Sequence, residues 1–154
     1  MPNTPNGSAA PAQLKLNLRP DTAELEPLAL AVEAFGADRD WSPALIMQIN
    51  LVLEEIIVNT IDYGYPDGRA GQIEVVLEAD ATAIHIQIED DADAFDPFAE
   101  APRPDIAAVL ADRPIGGLGV HLVRHYMDVC AYRRAPGRNL ISLVKRLPSP
   151  ASAA

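Results

Sequence analysis

Hydrophobic and polar positions alternate from Gln13 to Leu18, with Leu14, Leu16 and Leu18 on one side and Lys15 and Asn17 on the other. This period of two predicts a half-buried strand, ended by Pro20. The spacing changes from Thr22 to Phe35, where Leu25, Leu28, Ala29, Val32 and Phe35 recur at helical intervals up to Gly36, with Pro27 in the first turn. Trp41-Ser42-Pro43 then reads as a helix start, Ser42 as cap and Pro43 at the first helical position, where its missing N–H is not needed. A long helix follows to about Tyr63, closed by Gly64 and the Pro66-Asp67-Gly68 turn. Ile73–Leu77 and Ile84–Ile88 are expected as an antiparallel hairpin around Asp80, and Gly117–Met127 as a further helix. Val129–Arg133 and Asn139–Arg146 form a closing hairpin across Pro136-Gly137.

The order strand, two helices, two strands, helix, two strands predicts an α+β fold, a two-layer α/β sandwich with a mixed, mostly antiparallel sheet covered by helices on one face. One domain is expected over 13–147. Residues 1–12 and 148–154 are rich in Pro, Ala, Ser or Asn without periodicity and are expected as disordered tails. Residues of about 98–116 contain Pro102, Pro104 and Pro114 and room for one short helix near Asp105 to Leu110; so long a connection suggests a lid.

The long helix carries the first candidate chemistry. Gln48, Glu55, Asn59 and Asp62 fall within an arc of roughly 60° at 100° per residue. Apolar residues flank that arc on both sides, Val52, Leu53, Ile56 and Ile57 on one and Met47, Leu51 and Val58 on the other. A helix apolar on both flanks is mostly buried, so its carboxylate and amide need partners. Alone, this fits either neighbouring polar groups in a core or a functional polar pocket.

Composition narrows the choice. The formal net charge of −10 argues against nonspecific binding of nucleic acid or anionic membrane. The single Cys130 forms no internal disulfide, and no charged-then-apolar leader opens the sequence, so a cytoplasmic protein is expected. No apolar run approaches the ~20 residues of a membrane span. Partners should be proteins or a small ligand, and a phosphate ligand would need helix N-termini, backbone amides or a metal ion.

Two further stretches suit such a ligand. Asp90 stands where the strand Ile84–Ile88 runs out, followed by Asp91, Asp93 and Asp96; taken in isolation the run reads better as a solvated acidic loop. Gly116-Gly117-Leu118-Gly119 heads a helix, where glycines let backbone amides approach an anion, although a flexible hinge would read the same. Together a carboxylate at a strand end, an amide and carboxylate on a buried helix, and a glycine-headed helix describe a nucleotide pocket.

The order Glu55-x-x-x-Asn59, Asp90-x-x-x-x-Phe95-Asp96-Pro97 and Arg113-Pro-Ile-Gly-Gly-Leu-Gly119, followed by Met127-Asp128, resembles the histidine-kinase-like ATPase (GHKL) superfamily. Within it the sequence is most similar to the bacterial anti-sigma-factor serine/threonine-protein kinases, over roughly Leu14 to Lys145. The resemblance implies a Bergerat-type ATP-binding fold with ATP and Mg²⁺ as cofactors. Asn59 would bind the metal, and Glu55 would be the general base. Asp90 would accept from the adenine amino group. Gly116, Gly117, Leu118 and Gly119 would line the phosphate end of the lid, with Asp62, Phe95 and Arg113 as further nucleotide contacts. The implied partners are an anti-anti-sigma (STAS) protein, whose serine is phosphorylated, and a sigma factor; relatives with this arrangement often dimerise, so a homodimer is expected too.

The sequence departs from the family pattern at Ala92, where a glycine usually follows the adenine-binding Asp by two residues, and at Ile115, where some relatives have arginine. Ala92 would be strained if its φ had to be positive, or would crowd the base if close approach were needed. That motivates a second expectation, a non-catalytic module sequestering a sigma factor or other partner with or without nucleotide. The ATP-binding half of a sensor histidine kinase is less expected, since no phosphoacceptor-helix pattern precedes the domain.

Overall fold

Five strands line up in the order β1-β2-β3-β5-β4, every neighbouring pair antiparallel. They are β1 (Ala12–Leu18), β2 (Ile73–Ala79), β3 (Ala83–Asp90), β4 (Val129–Ala135) and β5 (Arg138–Arg146). The computed structural model describes residues 11–100 and 118–148. Most of the expected tails over 1–12 and 148–154 and of the expected lid lie outside these residues, as do Arg113, Gly116 and Gly117, while Ala12, expected in the first tail, opens β1. The sheet is therefore wholly antiparallel, a correction to the mixed sheet read from sequence. The β2–β3 and β4–β5 reversals are short hairpins and the helices between β1 and β2 return the chain to an adjacent antiparallel position, whereas β4 lies beyond β5 from β3.

Alternation sets the two faces of the sheet. Leu14, Leu77, Ile86, Leu143 and Cys130 lie side by side in one cross-strand row, and Leu16, Val75, Ile88, Ile141 and Tyr132 in the next. The buried members of these rows form one core with the helices, and burying each large aliphatic side chain contributes roughly 1.5–3 kcal/mol. The following row on the same face is Leu18, Ile73, Asp90, Asn139 and Arg134, so the apolar layer turns polar at one end. Lys15, Gln87 and Ala131 point to the other face, which is exposed.

The helices cover the apolar face. A single 3₁₀ turn (Thr22–Glu24), capped by Asp21, leads into α1 (Leu25–Ala37), so Pro27 falls in the first turn where its missing donor costs nothing. Helix α2 (Pro43–Asn59) starts as expected, with the Ser42 side chain accepting from the Leu45 N–H and Pro43 at N1. It buries Ile49, Val52, Leu53, Ile56, Ile57 and Asn59. A short helix α3 (Pro97–Glu100) follows β3, and α4 (Leu118–Tyr126) lies against α2, its C-terminal carbonyl of Tyr126 accepting from Lys145 Nζ.

Helix α2 does not stop at Asn59 but widens into a π-helical turn, Thr60–Gly64. Thr60 Oγ1 donates back to the Ile56 carbonyl at 2.8 Å, a bond known to loosen and bend helices. Together Pro43–Gly64 make a 22-residue helical segment long and apolar enough, by length and composition, to cross a membrane. This corrects the expectation that nothing in the sequence approached that length. Gln48, Asn50, Glu54 and Glu55 interrupt the segment, and its Ile49, Val52, Leu53, Ile56 and Ile57 are buried in the core, while Met47 on the other flank is exposed.

Candidate functional site

The expected polar arc of α2 holds over Glu55 and Asn59 and fails at Asp62. Glu55 is partly buried, while Asn59 is 4% exposed. Asp62 sits in the π turn, which adds a residue to the helical repeat and rotates it to the exposed surface. Burial raises the Glu55 carboxyl above its ordinary range, and the neighbouring Glu54 charge raises it further. The buried Asn59 Nδ2 has no hydrogen-bond partner among the described residues. An amide held in a core with an orphaned donor is costly, and is what a site for a missing polar group would leave behind.

Glu55 faces Gly119 in the first turn of α4. A Cβ placed on Gly119 would overlap the Glu55 carboxylate, so any larger residue there would push that flexible side chain out of its present position. Leu118 is the first residue of α4. The Glu55 carboxylate thus lies beside the N-terminal end of the described part of α4.

Asp90 closes β3 rather than following it, because the strand extends two residues past Ile88. Its parity is that of Ile84, Ile86 and Ile88, so its side chain points inward and is 2% exposed. Oδ1 accepts from Asn139 Nδ2 at 2.8 Å and from the Ala92 N–H at 3.0 Å. Among the described residues Oδ2 accepts no hydrogen bond. Burial is the largest influence on this carboxyl and raises it, opposed by the two N–H donors. One oxygen anchored and one left open suits a carboxylate that accepts from an exocyclic amine.

Asn139 is the residue beside Asp90 in the candidate site that sequence reasoning missed. Besides Asp90, its Nδ2 donates to the Asp93 carbonyl at 2.9 Å. Its Oδ1 accepts from Tyr132 OH at 2.6 Å, Arg134 Nη1 at 3.1 Å and the Phe95 N–H at 3.3 Å. A signal was present: Asn139 shares the parity of Ile141 and Leu143, which marks a polar residue on the apolar face of a strand. Phe95 is half-buried, with its ring stacked on Tyr63 at 4.9 Å between centroids.

The loop after Asp90 is fastened to the end of α2. The Asp93 N–H donates to the Gly64 carbonyl at 3.0 Å, and Tyr65 OH donates to Asp91 Oδ1 at 2.5 Å. The Tyr65 bond holds the Asp91 carboxyl below its usual range and, behind the larger effect of burial, raises the Tyr65 phenol. Ala92 is free of the strain considered for it: Asp40 is the one described non-glycine residue with positive φ. The Ala92 methyl is buried against Gly64. The helix carrying Glu55 and Asn59 and the strand carrying Asp90 are therefore joined by direct contacts.

Comparison with known proteins identifies the family and the fold. The chain is 30% identical to the serine/threonine-protein kinase BtrW of Bordetella bronchiseptica over 103 residues, 67% of this chain and 72% of that protein. It is 24% identical to the anti-sigma F factor of Anoxybacillus flavithermus over 119 residues, 77% of this chain and 81% of the relative. In fold it resembles the structure of the RsbU and RsbW domains of Rv1364c from Mycobacterium tuberculosis, with a TM-score of 0.59 and 11% identity; the match covers 90% of this chain and 34% of that longer one. It also resembles the SiaB–SiaC complex from Pseudomonas aeruginosa, with a TM-score of 0.52, 14% identity and coverage of 87% and 89%. The model of the histidine kinase-like ATPase domain matches residues 18–145, and the chain belongs to that family.

Proposed function

We propose that this chain is an ATP-dependent serine/threonine-protein kinase that acts as an anti-sigma regulatory factor, transferring the ATP γ-phosphate to a serine of an anti-anti-sigma (STAS) protein and holding a sigma factor when that partner is phosphorylated. The observation that carries the reading is the buried Asn59, its Nδ2 unpartnered among the described residues, one helical turn from the half-buried Glu55 carboxylate. The names of the relatives, a serine/threonine-protein kinase and an anti-sigma F factor, point the same way.

Asn59 would hold Mg²⁺ through its side-chain oxygen, a hard ligand of the kind that ion prefers alongside waters and phosphates. When bound, Mg²⁺ neutralises phosphate charge; positioning and neutralisation supply most of the catalysis in phosphoryl transfer. Glu55 takes the proton of the attacking serine hydroxyl, and the raising of its pKa by burial makes it a stronger base than an exposed carboxylate. Asp90 orients the nucleotide by accepting from the adenine amino group through Oδ2, with Oδ1 held by Asn139 and Ala92. Gly119, with Gly116, Gly117 and Leu118 before it, lets the α4 backbone reach the phosphates. Phe95 and Arg113 are the remaining nucleotide contacts of this proposal. Asp62, turned outward by the π turn, is left out of it.

The test is transfer of labelled phosphate from Mg-ATP to a serine of a cognate STAS protein. Labelling that disappears when the acceptor serine is replaced supports the reading. Demonstrated binding of both ATP and the STAS partner without transfer would remove the kinase claim.

A further inference from the structure

A glycine at position 64 is not required by its backbone. Among the described glycines only Gly68 and Gly137 have positive φ, so an L side chain at 64 would meet no conformational penalty. The requirement is space. A Cβ built on Gly64 would come 2.5 Å from the Ala92 Cβ, whereas its next neighbours, Ala92 Cα and Thr60 Cγ2, lie at 3.9 Å. One methyl fits in this cleft, and Ala92 supplies it.

Ala92 has no rotamer with which to retreat, and its backbone is held on both sides. Its N–H donates to Asp90 Oδ1 at 3.0 Å, and its carbonyl accepts from Arg134 Nη1 at 3.0 Å. The next residue is tied to Gly64 itself through the Asp93 N–H and Gly64 carbonyl. We propose that Gly64 is a positioning residue for base recognition: by leaving its Cα bare it seats the Ala92 methyl, and through the Ala92 amide it fixes the Asp90 carboxylate. The inference rests on the reading of Asp90 as the adenine acceptor.

The distances make the coupling steep. Ordinary contact between two methyl carbons begins at 3.4 Å, against 2.5 Å here. A second methyl must therefore displace Ala92 by roughly 1 Å, enough to carry a 3.0 Å hydrogen bond beyond useful length. Exchanging the residues, alanine at 64 and glycine at 92, leaves one methyl in the same cleft. The departure at Ala92 is in this sense matched by Gly64, on a different element.

Four proteins test this: wild type, Gly64→Ala, Ala92→Gly and the double variant. The side-chain amide resonances of Asn139, read without nucleotide, report on Asp90; calorimetric affinities for Mg-ATP and Mg-GTP report on base selection. Gly64→Ala should shift the Asn139 amide and weaken ATP at least tenfold with little change for GTP, collapsing the preference between them. The double variant should restore both readouts. An unchanged Asn139 amide and ATP/GTP ratio in Gly64→Ala would overturn the proposal, as would a double variant that fails to recover them. Should Gly64→Ala alone not fold, the double variant must fold and show wild-type readouts, or the proposal falls. If wild type bound no ATP, the nucleotide reading would fail, while the Asn139 resonances would still decide whether Gly64 sets Asp90.

Discussion

Asn139 and Asp90 are directly paired across β5 and β3, and the Asn139 side-chain amide donates a 2.8 Å hydrogen bond to the Asp90 carboxylate. Asn139→Ala should therefore cost more than one bond. It strips Tyr132, Arg134 and the Phe95 amide of an acceptor and Asp90 of a donor. Asp90 is the buried group among these, and weakening a buried polar pairing costs about 1–3 kcal/mol before relaxation, so a fall in melting temperature is expected together with weaker ATP binding. Tyr132→Phe removes one donor and should have the smaller effect in the same melts and titrations.

Replacing Asp90 by Asn should separate stability from binding. Burial raises the Asp90 pKa above its unfolded value, so its contribution to folding is present below the unfolded pKa and lost as pH rises through the folded one. At neutral pH the ionised, buried carboxylate works against the fold. Asp90→Asn keeps an oxygen for Asn139 and Ala92, and should melt no lower than wild type at pH 7. That margin should shrink as pH falls toward the ordinary Asp value of ~3.9. Adenine binding should be lost at every pH, since a neutral amide accepts from the amine far less well. Thermal melts across pH, paired with ATP titrations, check both halves.

The Glu55 carboxyl predicts a pH limb in phosphate transfer. Because burial, and then Glu54, raise its pKa, the rate should fall with acidification around a midpoint above the ordinary carboxylate range. Removing the neighbouring charge with Glu54→Gln should move that midpoint to lower pH. Glu55→Gln should abolish transfer while retaining ATP binding. A rate profile that ignores both substitutions would show that another group is the base.

Asn59→Ala should abolish Mg²⁺-dependent ATP binding at little cost to stability. Its Nδ2 has no partner among the described residues to lose, so the usual penalty for deleting a buried amide is missing. Titration of ATP with and without Mg²⁺ alongside a thermal melt reads this directly. A large drop in melting temperature would mean that Asn59 has a structural duty.

What was legible in the sequence was what depends on neighbours along the chain. The cap at Ser42, the alternation through Ile88 and the closing hairpin all follow from residues a few positions apart, and the elements appear within a few residues of their expected bounds. Asp62 was misplaced because an α repeat was carried through a segment that is π-helical. Asn139 was overlooked because its importance lies in the register of β3 against β5, a pairing of residues 49 positions apart. For Ala92 the sequence raises backbone strain and crowding of the base, while the contact that seats its methyl is with Gly64 on another element.

The π turn also dictates what kind of change this segment can absorb. Thr60–Gly64 carries one residue more than an α-helical continuation would need, and that surplus aims Gly64 at Ala92 while releasing Asp62 to solvent. Shortening the turn by a single residue would rewind the helix, swing every later side chain by about 100°, and uncouple the helix end from the strand it is fastened to. The segment should thus tolerate many replacements at Asp62 yet reject any deletion, so that its length, together with the bare Cα of Gly64, is the constraint.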